Sequence, residues 1–358
     1  NMGLVRYNAA GTQRLLWPNG GVYSHVDGNY IVYPKTNTAT YDWIQDISVI
    51  GDKIVVAANS NHGGGDIDVR VLVFGTDGSF KTNVAVFGTG TTAEFVGGMV
   101  TYSDMVSGGG GLPQFVNRVA VVGTRAPAAG GIGRPIFRRY SLDASGTLTQ
   151  VGGEVALDTH WCATTTRDCR PAGIVRSGGV TSVGPEAFYI VNRAINTTYS
   201  PAREGFTVTK VSASGVADSS WPSVWDNFDD GSNTTVRYNR AHAIAVKRNL
   251  GVDSVFVLAE IQRECANGVL VARFSDAYSL AGHTVFGGAD AFDVGSGSVC
   301  PAGVLADLPR DMALSDGRLA VVGRGGFNGL VGATNYTAWA AILDTSGSTN
   351  VPLLDHAD

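Results

Sequence analysis

Asp46, Asp104 and Asp311 each stand directly before an aliphatic or thioether residue, in Gln45-Asp46-Ile47, Ser103-Asp104-Met105 and Arg310-Asp311-Met312. His242-Ala243-Ile244 opens a comparable segment. If these four segments are equivalent strands of a repeat, three carboxylates and one imidazole converge on one rim. Converging carboxylate oxygens suit Ca²⁺ or another hard cation. Asp46, Asp104 and Asp311 are therefore expected as a metal site and, with His242, as part of a ligand site. One aspartate per repeat is equally what a turn motif produces, with each carboxylate accepting from a backbone N–H two residues on. Both readings stay open, and beyond Ca²⁺ no cofactor is implied.

Aromatic residues offer a second kind of contact. Trp161 adjoins the segment between Cys162 and Cys169, and Trp221 and Trp225 flank Pro222 just before an acidic run, Asp226 to Asn233. Loop tryptophans stack on sugar faces or anchor a protein partner, so all three are expected ligand-binding residues. The acidic run departs from a calcium loop, with Phe228 at its third position and Arg237 where a bidentate glutamate belongs. No G-x-S-x-G elbow, phosphate-binding G-x-x-x-x-G-K-[ST] loop or H-E-x-x-H pair occurs. Paired carboxylates drawn from separate parts of the fold stay open, because spacing in sequence does not report their separation.

The elements that must position these residues are repeated. Five β-branched runs bounded by polar or glycine residues read as buried strands: Lys53 to Asn59, Arg118 to Thr124, Ala187 to Asn192, Ser254 to Glu260 and Arg318 to Arg324. A second strand type ends in a polar, glycine-closed turn in Leu4 to Gly11, Val71 to Gly78, Arg139 to Gly146, Val208 to Gly215 and Ala340 to Gly347. A sixth copy, Val271 to Tyr278, carries Tyr278 in place of the glycine. The apolar residue four before the turn's end recurs at Tyr7, Phe74, Leu142, Val211, Phe274 and Leu343, a spacing of about 67 residues. No long stretch keeps the 3.6-residue period of a helix. A unit of this length with three or four short strands predicts an all-β protein, a β-propeller whose blades exceed the roughly 40–50 residues usual for such a repeat. Six blades are expected, with five or seven open, in a single domain over residues 1–358. The first copy lacks its inner strands, so Val351 to Leu354 is expected to pair with the N-terminal segment and close the ring.

The stretch from Ala313 to Gly323, Ala-Leu-Ser-Asp-Gly-Arg-Leu-Ala-Val-Val-Gly, followed by Leu343-Asp-Thr-Ser-Gly347, resembles the delta-60 repeat family of bacterial β-propellers. Ile47 to Ala57 with Val71 to Ser79, and Leu4 to Gly11, are similar. The resemblance implies a propeller in a typically exported protein. It carries over no catalytic residue, because the signature consists of structural positions.

Composition narrows the function classes. Only 16% of residues are charged, against roughly 25% in ordinary domains, so apolar material is ample and no solvating tail is present. The net charge of −5 is spread evenly with no basic stripe, which argues against nucleic acid. No apolar run is long enough for a membrane-spanning helix. Four cysteines fall as two neighbouring pairs, and the expected disulfides are Cys162 with Cys169 and Cys265 with Cys300. Disulfides place the chain in an oxidising compartment: secreted, periplasmic or on the cell surface. The missing catalytic motifs lead to the expectation of a non-enzymatic binding or scaffold protein with a carbohydrate or protein partner at one mouth of a central channel. The alternative is a hydrolase or lyase acting on carbohydrate or peptide there.

Overall fold

The computed structural model describes residues 2–10, 12–15, 17, 30–33, 41–63, 66–87, 92–107, 113–127, 132–157, 162, 167–178, 187–197, 203–218, 238–262, 267–275, 280–286, 305–315, 317–329, 333–346 and 353–357. These residues form strands and turns with no α-helix, and none offers a helix long and apolar enough to cross a membrane. The chain divides into two compact units, Asn1–Leu157 and Asp158–Asp358.

The first unit opens with a three-stranded sheet of β1 (Met2–Tyr7), β2 (Arg14–Leu15) and β3 (Tyr30–Tyr33), in the order β2-β1-β3. An antiparallel meander follows: β4 (Tyr41–Ile50), β5 (Lys53–Gly63), β6 (Asp66–Gly75) and β7 (Phe80–Phe87). The next meander is β8 (Thr92–Ser107), β9 (Pro113–Pro127) and β10 (Arg134–Leu142), with β11 (Leu148–Gln150) and β12 (Val155–Ala156) both on the outer side of β10. One parallel pair, Ile67 with Ala93, joins the two.

The second unit repeats the plan. β13 (Arg167–Ser177), β14 (Ala187–Asn196) and β15 (Arg203–Ser212) form one meander. A parallel pair, Glu204 with Tyr238, joins it to β16 (Tyr238–Asn249), β17 (Val252–Gln262), β18 (Asn267–Ser275) and β19 (Leu280–Phe286). The last meander is β20 (Leu305–Ser315), β21 (Arg318–Gly329), β22 (Ala333–Asp344) and β23 (Leu353–Ala357). Repeated antiparallel meanders of this kind are the blades of an all-β propeller, as the period predicts.

The second strand of most meanders is buried on both faces. Ile54 to Ser60, Val119 to Thr124, Ala187 to Asn192 and Val255 to Ile261 are buried without interruption. Such strands read as continuous apolar runs because neither pleat face meets water. In the first unit Val55, Val71, Phe87, Val119, Val121 and Tyr140 form one core. In the second, Tyr189, Val208, Val257, Leu270 and Phe274 form another, and Phe206 meets Phe274 edge-on with centroids 6.1 Å apart.

The turn after each third strand explains the sequence period. Gly78, Gly146 and Gly215 sit at φ of 91°, 94° and 89°, where a side chain is strained. The first turn residue accepts from the backbone four residues on: Asn8 Oδ1 from Thr12 N at 2.9 Å, Asp143 Oδ1 from Thr147 N at 2.8 Å, and Ser212 Oγ from Val216 N at 3.0 Å. Gly75 replaces that residue in the second copy. There Asp77 Oδ1 takes over, accepting from Ser79 N at 2.9 Å, and a Cβ on Gly75 would lie 2.3 Å from it.

The expected ring closure is corrected. Among the described residues β23 pairs with β22 as the outer strand of its own meander. The open side of β1 is taken by β3, with Met2 opposite Tyr33 and Val5 opposite Tyr30. A neighbour some twenty-five residues away costs less closure entropy than a strand at the far end of the chain, and it satisfies the same backbone groups.

Two outcomes follow from the turns. Gly215→Ala should lower stability by about 1 kcal/mol or more in urea melts, because alanine is strained at that φ. The Ser145 hydroxyl and the Thr147 amide hold the Asp143 carboxyl below its ordinary range. Its folded value is depressed, so the stabilisation is full above the unfolded value near 3.9 and is lost as pH falls through the folded one. Urea midpoints measured from pH 5 down to pH 2.5 should fall less steeply for Asp143→Asn than for the parent.

Candidate functional site

Every first strand after the N-terminal sheet carries a β-bulge at the same place. The extra residues are Gln45 in β4, Gly97 in β8, Ala172 in β13, His242 in β16 and Arg310 in β20. A bulge bends its strand and re-aims the side chains around it. It also supplies a common register. Three residues before the bulge stand Asp42, Glu94, Cys169, Asn239 and Asp307. The four whose side chains are described are buried: Asp42 at 8% exposure, and Glu94, Cys169 and Asn239 at 0%.

Two of these residues are carboxylates on neighbouring first strands of the first unit. Asp42 Oδ1 accepts from Ser60 Oγ at 2.7 Å, while its buried Oδ2 has no hydrogen-bond partner among the described residues. Glu94 lies 3.5 Å from Arg125 Nε. Arg125 is shared, since it donates through both terminal nitrogens to Glu154 at 2.9 Å each. Glu154 in turn receives Arg138 at 2.8 Å, and Arg138 also donates to the carbonyl of Val86 and lies over the Phe87 ring.

Cross-strand contacts hold these two positions level. Val96 N donates to Asn59 Oδ1 at 2.8 Å, and Met99 N donates to Asp46 Oδ2 at 2.8 Å. Ser48 and Thr101 hydroxyls meet at 2.6 Å. The residues that follow Asp42 and Glu94, Trp43 and Phe95, approach with ring centroids 6.4 Å apart.

The second unit carries a charged chain at the corresponding ends of its strands. Glu204 on β15 accepts from Arg193 at 3.0 and 2.6 Å and from Arg240 Nε at 3.3 Å. Arg240 reaches Glu260 at 3.9 Å, and His242 Nε2 lies 3.4 Å from the same Glu260 carboxylate. Glu260 is buried, so the Arg240 guanidinium near it offsets part of the cost of desolvating its charge.

The residues expected at the rim fall at different places relative to the bulges. Asp46 and Asp311 occupy the same register, directly after their bulges, and His242 is itself a bulge residue. Asp104 lies far beyond the bulge at Gly97, opposite Val116, and pairs with Arg118 at 3.4 Å. Asp46 Oδ1 accepts from Ile47 N and Asp311 Oδ1 from Met312 N, both at 2.8 Å, so each carboxylate braces the strand just past the bulge. Among the described residues no three histidine, cysteine, aspartate or glutamate side chains gather to hold a metal. Trp161, Trp221, Trp225, Cys265 and Cys300 lie outside the described residues.

Asp42 and Glu94 escaped the sequence reading because each stands alone in an apolar strand with no motif around it. Their signal was a single acid at the start of a strand otherwise fit for burial.

No family model and no curated protein sequence matches the chain. Among solved structures it is similar to a mutant levansucrase of B. megaterium at 10% identity, over 92% of this chain and 86% of that one, with a TM-score of 0.40. It is similar to a protein titled glycoside hydrolase at 11% identity, over 86% and 89%, with a TM-score of 0.44. A Penicillium chrysogenum alpha-L-arabinanase complexed with arabinobiose shares 10% identity over 90% and 94%, with a TM-score of 0.40. The expectation of a non-enzymatic binding or scaffold protein is corrected here: these three similar structures carry the names of enzymes, in line with the hydrolase alternative.

Cys162 and Cys169 form a disulfide across seven residues, packed on Ala194. Closing so short a loop stabilises by about 2 kcal/mol in the chain-entropy picture. Peptide mapping without reductant should recover the Cys162–Cys169 link, and the Cys162→Ser, Cys169→Ser double variant should melt several degrees lower.

Proposed function

We propose that the chain is an exported hydrolase acting on carbohydrate, with Asp42 and Glu94 as its acid–base carboxylates. The observation that carries this reading is the Asp42 carboxylate, buried at the start of its strand with one oxygen unpartnered among the described residues, level with the buried Glu94 of the next first strand. Leaving a carboxylate oxygen buried without a hydrogen bond costs stability, so a role outside folding accounts for its retention. Glycoside hydrolysis uses a pair of carboxyl groups flanking the scissile bond. One protonates the leaving oxygen, and the other activates water or attacks the sugar carbon. Arg125, Glu154 and Arg138 then serve to hold Glu94 in one orientation.

The names of the similar structures agree with this chemistry without adding weight to it. Export is supported by the Cys162–Cys169 disulfide, which persists in secreted, periplasmic or surface proteins and not in a reducing cytosol. The turn glycines and their side-chain acceptors support a delta-60 type of repeat as the scaffold.

The test is release of reducing sugar from a panel of polysaccharides, arabinan included, and from aryl glycosides. The parent chain should hydrolyse at least one member of the panel. Asp42→Asn and Glu94→Gln should each lower its turnover by about 10²–10⁴-fold, the usual worth of acid–base catalysis, with melting temperatures within a few degrees of the parent. No hydrolysis by the parent, or full turnover by either folded variant, would overturn the assignment.

A further inference from the structure

The first unit contains a cavity of about 580 Å³ away from Asp42 and Glu94, a size within the range of ligand-binding pockets. Its apolar walls include Trp17, Ile47, Val49 and Ile54, and its charged lining residues are Arg6 and Asp77. Three features set it apart from a packing defect. Ile47 and Val49, successive outward-facing residues of β4, are 52% and 62% exposed, an unusual state for two aliphatic side chains on one strand. Trp17 is only 5% exposed, yet its indole N–H is buried with no acceptor among the described residues. The half-buried Arg6 has no ion-pair partner among the described residues. Asp77 is otherwise employed, its Oδ1 accepting from Ser79 N at 2.9 Å and from Ser79 Oγ at 2.6 Å.

From these features we infer that the cavity is a binding site for an aryl carboxylate. The ring system covers the exposed Ile47 and Val49 and removes apolar surface from water. The carboxylate meets Arg6, whose planar guanidinium recognises such groups through paired N–H donors. A neutral hydrocarbon would leave the Arg6 guanidinium unanswered, and a fully polar ligand would leave the walls wet. Arg6 and the aliphatic pair therefore select for a molecule with one apolar and one anionic end. This site does not depend on the hydrolase reading.

Isothermal titration of the full chain with sodium 2-naphthoate tests the proposal, with 2-naphthamide as the neutral counterpart. Naphthoate should bind one-to-one, and Arg6→Gln should weaken it about tenfold while leaving the amide unchanged. Ile47→Trp should fill the cavity and abolish binding at an unaltered melting temperature. If Arg6→Gln does not fold, Arg6→Lys should show an intermediate loss. Absence of saturable binding to the parent, equal binding to the Arg6 variant, or binding that survives Ile47→Trp would each overturn it. Asp42→Asn should bind naphthoate as the parent does, so loss of hydrolysis and loss of this site are read separately.

Discussion

Strands buried on both faces must satisfy every backbone N–H and C=O within the sheet, because neither face offers water to do so. In this chain that demand falls on the second strand of most meanders, where residues such as Val55 to Ala58 and Val255 to Ala259 are wholly enclosed. Antiparallel pairing with a first and a third strand meets it along almost the full length of each run. The outer strand can then be short, as β11 and β12 are, because only one edge of the third strand remains to be covered.

The same constraint governs the polar residues. A polar side chain inside such a strand must find a partner within the fold or bear the cost of desolvation. Asn59 accepts the Val96 amide of the next meander, Asn192 donates to Thr207 and Thr209, and Tyr189 donates to Asp253 at 2.9 Å across two meanders. The Asn59 and Tyr189 contacts convert a burial penalty into registration between neighbouring meanders. Asp42 is answered at one oxygen by Ser60, while its other oxygen, like Oδ1 of Asn192 and of Asp253, has no hydrogen-bond partner among the described residues.

The recurrent bulge connects architecture to chemistry. It lets each first strand follow its partner through the upper ladder and then shift register, which turns the residues before it to a new aim. Gln45, Gly97, Ala172, His242 and Arg310 share nothing in side-chain type, so the bulge is a property of the backbone geometry. Asp46 and Asp311 stabilise it by accepting the next amide. Two aspartates that look like ligands along the sequence are thus explained as braces, and the carboxylates with spare capacity stand on the other side of the bulge.

What the sequence determined by itself was local. The aliphatic runs announced second strands, the period near 67 residues announced repeated meanders, and the turns closed by Gly78, Gly146 and Gly215 announced a backbone conformation that only glycine adopts freely. Cys162 and Cys169 were close enough in the chain for their pairing to be read. The tertiary structure alone decided which residues share a level across sheets. Asp104 was placed with Asp46 by its neighbours in sequence, yet the bulge at Gly97 sets β8 in a different register and brings Glu94, not Asp104, level with Asp42. β3, not the chain's far end, took the edge of β1. Periodicity and turn chemistry act over a few residues and are written in consecutive letters. Register between strands depends on a bulge whose cost and benefit lie in backbone pairing, which no side-chain pattern records.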